Sequence, residues 1–225
     1  MLIYGKQPVY HLIERHPQKL QTLYLSKELP KKEYARLMRL GCEVKRIPPN
    51  AAQAMSRNGN HQGFLAEVAE VVPVALKEIL ESEFVVVLSG ITDVGNIGAI
   101  VRTAYALGVD AVVVCGLKSF AYEPVVRSST GALFDLPFVV QHNLYDVIND
   151  LKVAGFALYG AVMDGEDIRN TAMAPKRALL LGNEAEGIPA RAQEKLDRRV
   201  SITMAHDFDS LNVSAAGAIL MDRMR

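Results

Sequence analysis

Five runs of mostly apolar residues, each of strand length, constrain this chain more than anything else in it. They are F-V-V-V-L (84–88), A-V-V-V-C (111–115), F-A-L-Y-G-A-V (156–162), R-A-L-L-L-G (177–182) and V-S-I-T-M (200–204). A strand with water on one face alternates apolar and polar residues, whereas an unbroken apolar run suits a strand buried on both faces. Such strands belong to a mainly parallel sheet covered by helices. One helix is predicted from Ile97 to Leu107 and a last one from about Asn212 to Met224. The expected class is α/β.

The first part of the chain reads differently. Leu23 to Leu25 and Val44 to Ile47 are predicted as short strands, Pro8 to Arg15 and Lys31 to Leu40 as helices, the second stopped by Gly41. Phe64 to Val72 is a further strand candidate after the turn-rich S-R-N-G-N-H-Q-G stretch. The mixed segment that follows reads as a short helix or linker. The expected organisation is a small α/β domain over residues 1–72, a linker over 73–83 and a larger domain over 84–225. A chain of 225 residues, half of them apolar, is long enough for both.

Net charge is zero, but it is unevenly spread. Residues 1–60 carry eleven Lys or Arg against four acids, leaving +7 there and −7 in the remaining 165. That asymmetry suits a basic module that meets a polyanion. Lys31, Lys32, Arg36 and Arg39 also sit at helical spacing, so a plain solvated helix face accounts for them equally well. The two cysteines, Cys42 and Cys115, form no C-x-x-C pair and have no clustered histidines. No structural zinc site, disulfide framework or other metal centre is expected, and a reducing cytoplasm fits best. The N-terminus lacks a signal-peptide core, and no apolar run approaches the roughly 18 residues that span a membrane.

In open α/β sheets, ligands bind beyond the carboxyl ends of the strands. Three polar segments fall in such places. D-V-G-N-I-G-A-I-V-R-T-A (93–104) follows the first run. Gly95 and Gly98 permit a tight turn around Asn96, and Arg102 lies six residues on. A glycine-rich helix start with a surface arginine would look the same. There is neither G-x-G-x-x-G nor G-K-[ST], which argues against a dinucleotide or P-loop site. L-L-L-G-N-E-A-E-G-I (179–188) brackets Glu184 and Glu186 between Gly182 and Gly187. Such a loop can bring backbone close to a ligand, or be a solvated turn. S-L-N-V-S (210–214) opens the last helix, with Ser210 or Asn212 as N-cap and free N–H groups beside it.

Together, in this order and spacing, these segments resemble the signature of the SpoU/TrmH (SPOUT) family of RNA ribose 2′-O-methyltransferases, from about Phe84 to the end. The resemblance implies a sheet whose C-terminal segment threads a trefoil knot, S-adenosylmethionine held in that knot, and an obligate homodimer. Knots are nearly absent among folds, and composition alone carries no trace of one. By the same resemblance, Asn96, Arg102, Glu184, Ser210 and Asn212 are the catalytic residues. Gly182, Ile202 and Leu211 contact the cofactor, mostly through backbone. I-Y-G-K-Q-P-V (3–9) and N-H-Q-G-F-L-A-E-V (60–68) resemble the substrate-binding domain, related to a ribosomal protein, of a subset of the family. That subset methylates a guanosine ribose in 23S ribosomal RNA and has antibiotic-resistance relatives. Lys6, Arg57, His61 and Gln62 then become candidate RNA contacts, and the basic N-terminal charge gains a purpose. The chain departs from the pattern at Val94, where the family often has Pro, at I-T-M (202–204) for I-P-M, and at His206 and Asp207 in a usually glycine-containing turn. These bear on the shape of the cofactor loop.

The implied reaction moves a methyl from a sulfonium to a ribose 2′-hydroxyl. That hydroxyl is a poor nucleophile near neutral pH, so its proton has to be taken or polarised. Arg102 is the family's candidate, but a guanidinium with a pKa above 12 makes a poor base. Positioning and hydrogen bonding are its better role. Transfer RNA as substrate, an antibiotic-resistance ribosomal RNA methyltransferase, and a non-catalytic RNA-binding protein of the same fold remain the alternatives.

Overall fold

The computed structural model describes residues 1–206 and 210–225. The N-terminal elements are β1 (Leu2–Tyr4), α1 (Lys6–Arg15), β2 (Leu20–Leu25), α2 (Lys31–Leu37), β3 (Glu43–Arg46), α3 (Pro49–Met55) and β4 (Phe64–Val68). Then come β5 (Phe84–Ser89), α4 (Val94–Leu107), β6 (Ala111–Cys115), α5 (Tyr122–Ser128), β7 (Phe138–Gln141) and α6 (Leu144–Val153). The chain closes with β8 (Ala157–Asp167), β9 (Arg177–Gly182), α7 (Ala190–Gln193), β10 (Arg198–Ser201) and α8 (Val213–Met224). They form two compact units, one of Met1–Val72 with Ala121–Phe134, the other of Pro73–Phe120 with Asp135–Arg225.

In the first unit the strand order is β1-β4-β2-β3. β4 runs antiparallel to β1 and β2, and β3 lies parallel to β2. Val9, Leu12 and Ile13 recur at helical spacing and bury the inner face of α1, while Ile3, Leu23, Leu25 and Phe64 bury the sheet. α2 stops at Leu37, short of the predicted Leu40. Leu37 is its one buried residue, and after Met38 the N–H groups bond back only three residues, Arg39 to Arg36 and Leu40 to Leu37. Without an apolar stripe to bury, nothing prolongs the helix.

The second unit is built on a six-stranded sheet of order β10-β8-β9-β5-β6-β7, parallel throughout. Every residue of β5 and β6 is buried, as their unbroken apolar runs require. The last run is corrected: β10 begins at Arg198 and ends at Ser201, so Ile202 to Met204 leave the sheet. β8 outruns its apolar segment, continuing through the exposed Met163, Asp164 and Glu166. The expected linker holds one 3-10 turn, Leu76–Ile79, whose Leu76 and Ile79 pack into the core beside Val85 and Val113. α4 and α8 pack against each other. Among the described residues, no helix is long and apolar enough to cross a membrane.

The two thiols differ in burial. Cys115 is fully buried in β6, and burial pushes its pKa up from about 9 to about 12. Cys42 is partly exposed, with its pKa raised less by the same cause. A disulfide reagent at pH 8 should therefore modify Cys42 in the native protein and Cys115 only after denaturant. Because the fold prefers the neutral Cys115 thiol, its contribution to stability is complete below the unfolded thiol pKa. It declines as pH rises toward 12. Two fast-reacting thiols in the native state would contradict this packing.

Candidate active site

The three polar segments converge on the carboxyl-end side of the central strands. Asp93 caps α4, its Oδ1 accepting from the Asn96 N–H at 2.7 Å. That fixes the first turn of the helix that follows β5. The Asn96 amide then bridges the other two segments. Its Nδ2 donates to Glu184 Oε1 at 2.6 Å, and its Oδ1 accepts from Asn212 Nδ2 at 3.0 Å. Asn212 is the N-cap of α8, its Oδ1 accepting from the Ser214 N–H at 2.9 Å and the Ser214 hydroxyl at 2.6 Å. Each donor in the chain Ser214–Asn212–Asn96–Glu184 points toward the carboxylate. Glu184 can only accept when ionised, so it orients both amides. Glu184 Oε2 makes no hydrogen bond to a described residue.

Asn183 holds the loop after β9. Its Nδ2 donates to the Gly90 carbonyl at 2.9 Å, and its Oδ1 accepts from the N–H groups of Ala185 (2.7 Å) and Glu186 (3.2 Å). The loop folds back tightly enough for Asn183 and Gly187 to form an antiparallel bridge. Gly182 sits beneath that bridge, and a β-carbon on it would lie 2.5 Å from the Gly187 carbonyl oxygen and nearer still to the Gly187 carbonyl carbon. Only glycine fits there.

Beside the network opens a cavity of about 770 Å³. Gly182, Ile202 and Leu211 all line it, as do Glu184, Ser210 and Asn212. Met163, Leu181, Ile188 and Leu220 supply apolar wall, and among the described residues the charged lining is Asp164, Glu184 and Glu186 against Arg199. The size falls within the range of small-molecule sites, and excess carboxylate suits a sulfonium cation. The residues present thus fit S-adenosylmethionine. Arg199 Nη2 is clasped by Asp164 at 2.5 and 2.7 Å.

Thr203, where the family often has Pro, has its own anchor: its hydroxyl donates to Asp167 Oδ2. Asp167 also takes the forked guanidinium of Arg169, Nη2 at 2.6 Å and Nε at 3.0 Å. The Arg169 fork, then Thr203, holds the Asp167 carboxyl well below the usual carboxylate range. The anchor therefore persists at neutral and mildly acidic pH and is lost only as pH falls through that depressed value. His206 is exposed; Asp207 lies outside the described residues.

Arg102 stands apart. It is exposed on α4, does not line the cavity, and makes no hydrogen bond or ion pair with a described residue. Six residues turn a helix by about 240°, which carries Arg102 to another face from Asn96. The candidate RNA contacts of the first unit divide similarly. His61 is engaged within the fold: its Nδ1 accepts from the Gly63 N–H at 3.1 Å, so its ring proton lies on Nε2, facing Gln53 Oε1 at 3.2 Å. Gln62 Oε1 accepts from the Lys6 N–H at 3.1 Å. The Lys6 and Arg57 side chains remain exposed. Sequence reasoning missed Asp93, Asn183 and Ser214 as supports. The first was visible as a capping residue three before Asn96. The tail of β8, with Met163 and Asp164, carried no signal, being polar and exposed.

Residues 83–222 match the model of the SpoU rRNA Methylase family. The chain belongs to that family. Residues 2–73 match a second family model, RNA 2′-O ribose methyltransferase substrate binding. A 23S rRNA (guanosine-2′-O-)-methyltransferase RlmB of Pseudomonas putida is 32% identical, over 99% of this chain and 95% of the relative. The 23S rRNA (guanosine(2553)-2′-O)-methyltransferase RlmP of Bacillus subtilis is 29% identical, over 96% and 86%. Among solved structures, the SpoU methyltransferase AviRb of Streptomyces viridochromogenes, in complex with AdoMet, is similar with a TM-score of 0.80. It is 28% identical, and the match covers 100% of this chain and 88% of that one. An AdoMet-bound rRNA methyltransferase of Sinorhizobium meliloti gives 0.80 at 25% identity, covering 100% and 86%.

Proposed function

We propose that this protein transfers a methyl group from S-adenosylmethionine to a ribose 2′-hydroxyl of RNA, at a guanosine of 23S ribosomal RNA. The observation that carries the reading is the Ser214–Asn212–Asn96–Glu184 chain at the edge of the 770 Å³ cavity. Family membership and relatives that cover nearly the whole chain support the substrate class. When bound, S-adenosylmethionine supplies a methyl on positively charged sulfur. Gly182, Ile202 and Leu211 would hold it, and Ser210 and Asn212 would shape the methyl end of the pocket. Glu184 Oε2 is available to accept a hydrogen bond from the incoming hydroxyl or from a guanidinium. Arg102 would orient the ribose and polarise its hydroxyl, which suffices against a reactive electrophile.

The finer features follow the same reading. The protein acts in the cytoplasm as a homodimer, and its C-terminal segment threads a trefoil knot. The sheet order supports that path, since β9 lies between β8 and β5 and the chain returns past its loop to α8. The first unit supplies RNA affinity: Lys31, Lys32, Arg36 and Arg39 are exposed, with Arg36 over the Tyr10 ring at 5.7 Å.

Labelled S-adenosylmethionine should pass its methyl to 23S ribosomal RNA from a strain lacking this protein, at one mapped ribose. Label appearing in transfer RNA alone, or in no RNA, would overturn the assignment. Reversing the four basic residues together should weaken RNA binding and flatten its salt dependence by roughly 0.7 to 0.9 log units for each phosphate no longer neutralised. Unchanged affinity and slope would make that face a solvated surface.

A further inference from the structure

A second cavity, of about 420 Å³, lies within the first unit. Its wall comprises Tyr4 of β1, Met55 and Arg57 at the end of α3, and Tyr122, Glu123 and Arg127 of α5. Nothing in the methyl-transfer chemistry uses it.

Three features make it a built site. The first is backbone. Arg57 and Asn58 both take left-handed conformations, φ 51° and 62°, which non-glycine residues adopt at a free-energy cost. The turn is locked by the Asn58 N–H to Gln53 carbonyl bond at 2.9 Å and by Gly59, whose Cα packs against the Tyr4 ring where a β-carbon would collide. The second is charge. Arg127 is committed, paired to Glu123 at 2.7 Å and lying 4.2 Å from the Tyr4 ring centroid. Arg57 is exposed and has no ionic partner among the described residues, so it is the uncompensated cation on the wall. The third is surface. Two tyrosines and a methionine give flat, polarisable area.

An unpaired guanidinium beside aromatic rings recognises a nucleotide, with the phosphate on the arginine and the base stacked on a ring. We infer that this cavity holds one unpaired nucleotide of the RNA substrate, with Arg57 on its phosphate and Tyr122 against its base. The inference rests on the reading that the protein binds RNA. It adds a subsite separate from the α2 face and from the methyl-transfer cavity.

The test uses the full chain and single-stranded RNA oligonucleotides carrying 2-aminopurine at successive positions. The wild type should quench one position by stacking. Tyr122→Leu should abolish that quench and raise the dissociation constant about tenfold, within the range for removing the ring under one stacked base. Arg57→Gly should raise the dissociation constant and lower the salt slope by roughly 0.7, one single-strand phosphate. It should not lower the thermal midpoint, because glycine suits the left-handed backbone better than arginine does. Wild-type quench, affinity and slope in both variants would overturn the subsite. Displacement of the oligonucleotide by micromolar guanosine monophosphate would also overturn it, by assigning the cavity to a free nucleotide. If the wild type bound no RNA at all, the broader reading would fail, and the subsite with it.

Discussion

Arg102→Ala should lower methyl transfer roughly 10²–10⁴-fold, the usual cost of a positioned group that takes or polarises a proton. Cofactor affinity should stay within about twofold, because Arg102 does not line the cavity. Arg102→Lys should fail nearly as badly, since an ammonium lacks the planar fork. Single-turnover rates and calorimetry on the two variants check both halves. Near wild-type turnover would assign the proton to another group. The exposed position of Arg102 adds a constraint. It can act only on a ribose held between its face of α4 and its own cavity, or in the cavity of a second copy. Mixing Arg102→Ala chains with chains that cannot bind cofactor separates the two. Restored activity puts Arg102 in the partner's site, and its absence keeps the reaction within one chain.

Gly182→Ala is the natural cofactor-blind partner for that mixture, and its own effect should be the larger on binding. The added β-carbon meets the Gly187 carbonyl and the Ile188 N–H, which are backbone and cannot swing aside. Either the Asn183–Gly187 bridge opens or β9 shifts against β5. Opening the bridge would displace Glu184, and with it Asn96. S-adenosylmethionine affinity should fall at least tenfold, and overpacking should cost about 1–3 kcal/mol of stability. A variant that binds cofactor normally would mean that the loop is not the cofactor's wall.

The sheet was legible because the apolar stretches of β5, β6 and β9 (84–88, 111–115 and 178–181) are buried on both faces, with Ser89 and Arg177 only at strand ends. The helix ends at Asn212 and Asp93 were legible as caps or within reach of being so. What stayed hidden was short or shaped by distant partners. β7 has four residues, too few for a period to emerge. The far end of β8 is a strand only because β10 pairs with it across a register shift at Arg199 and Val200. The meeting of Asn96, Glu184 and Asn212 could be read only from resemblance. No local property of three segments so far apart says that they touch. For His61 the sequence pointed outward, to RNA, while its ring bonds hold the turn before β4 together.

The pairing of β5 with β9 has a consequence for how the chain comes to be folded. Phe84 lies beside Arg177 in the middle of the sheet, and β6 and β7 stack outward from β5. On a ribosome, β5 emerges long before its central neighbour exists. Until β9 and then β10 and α8 follow, one long edge of very apolar strand stands open. Distant parallel pairing is slow to form, and such edges are where nascent chains stick to each other. Newly made protein should therefore depend on chaperone cover late into synthesis. Chains that stall before Arg177 should aggregate, whereas those that have made α8 should mature slowly but completely.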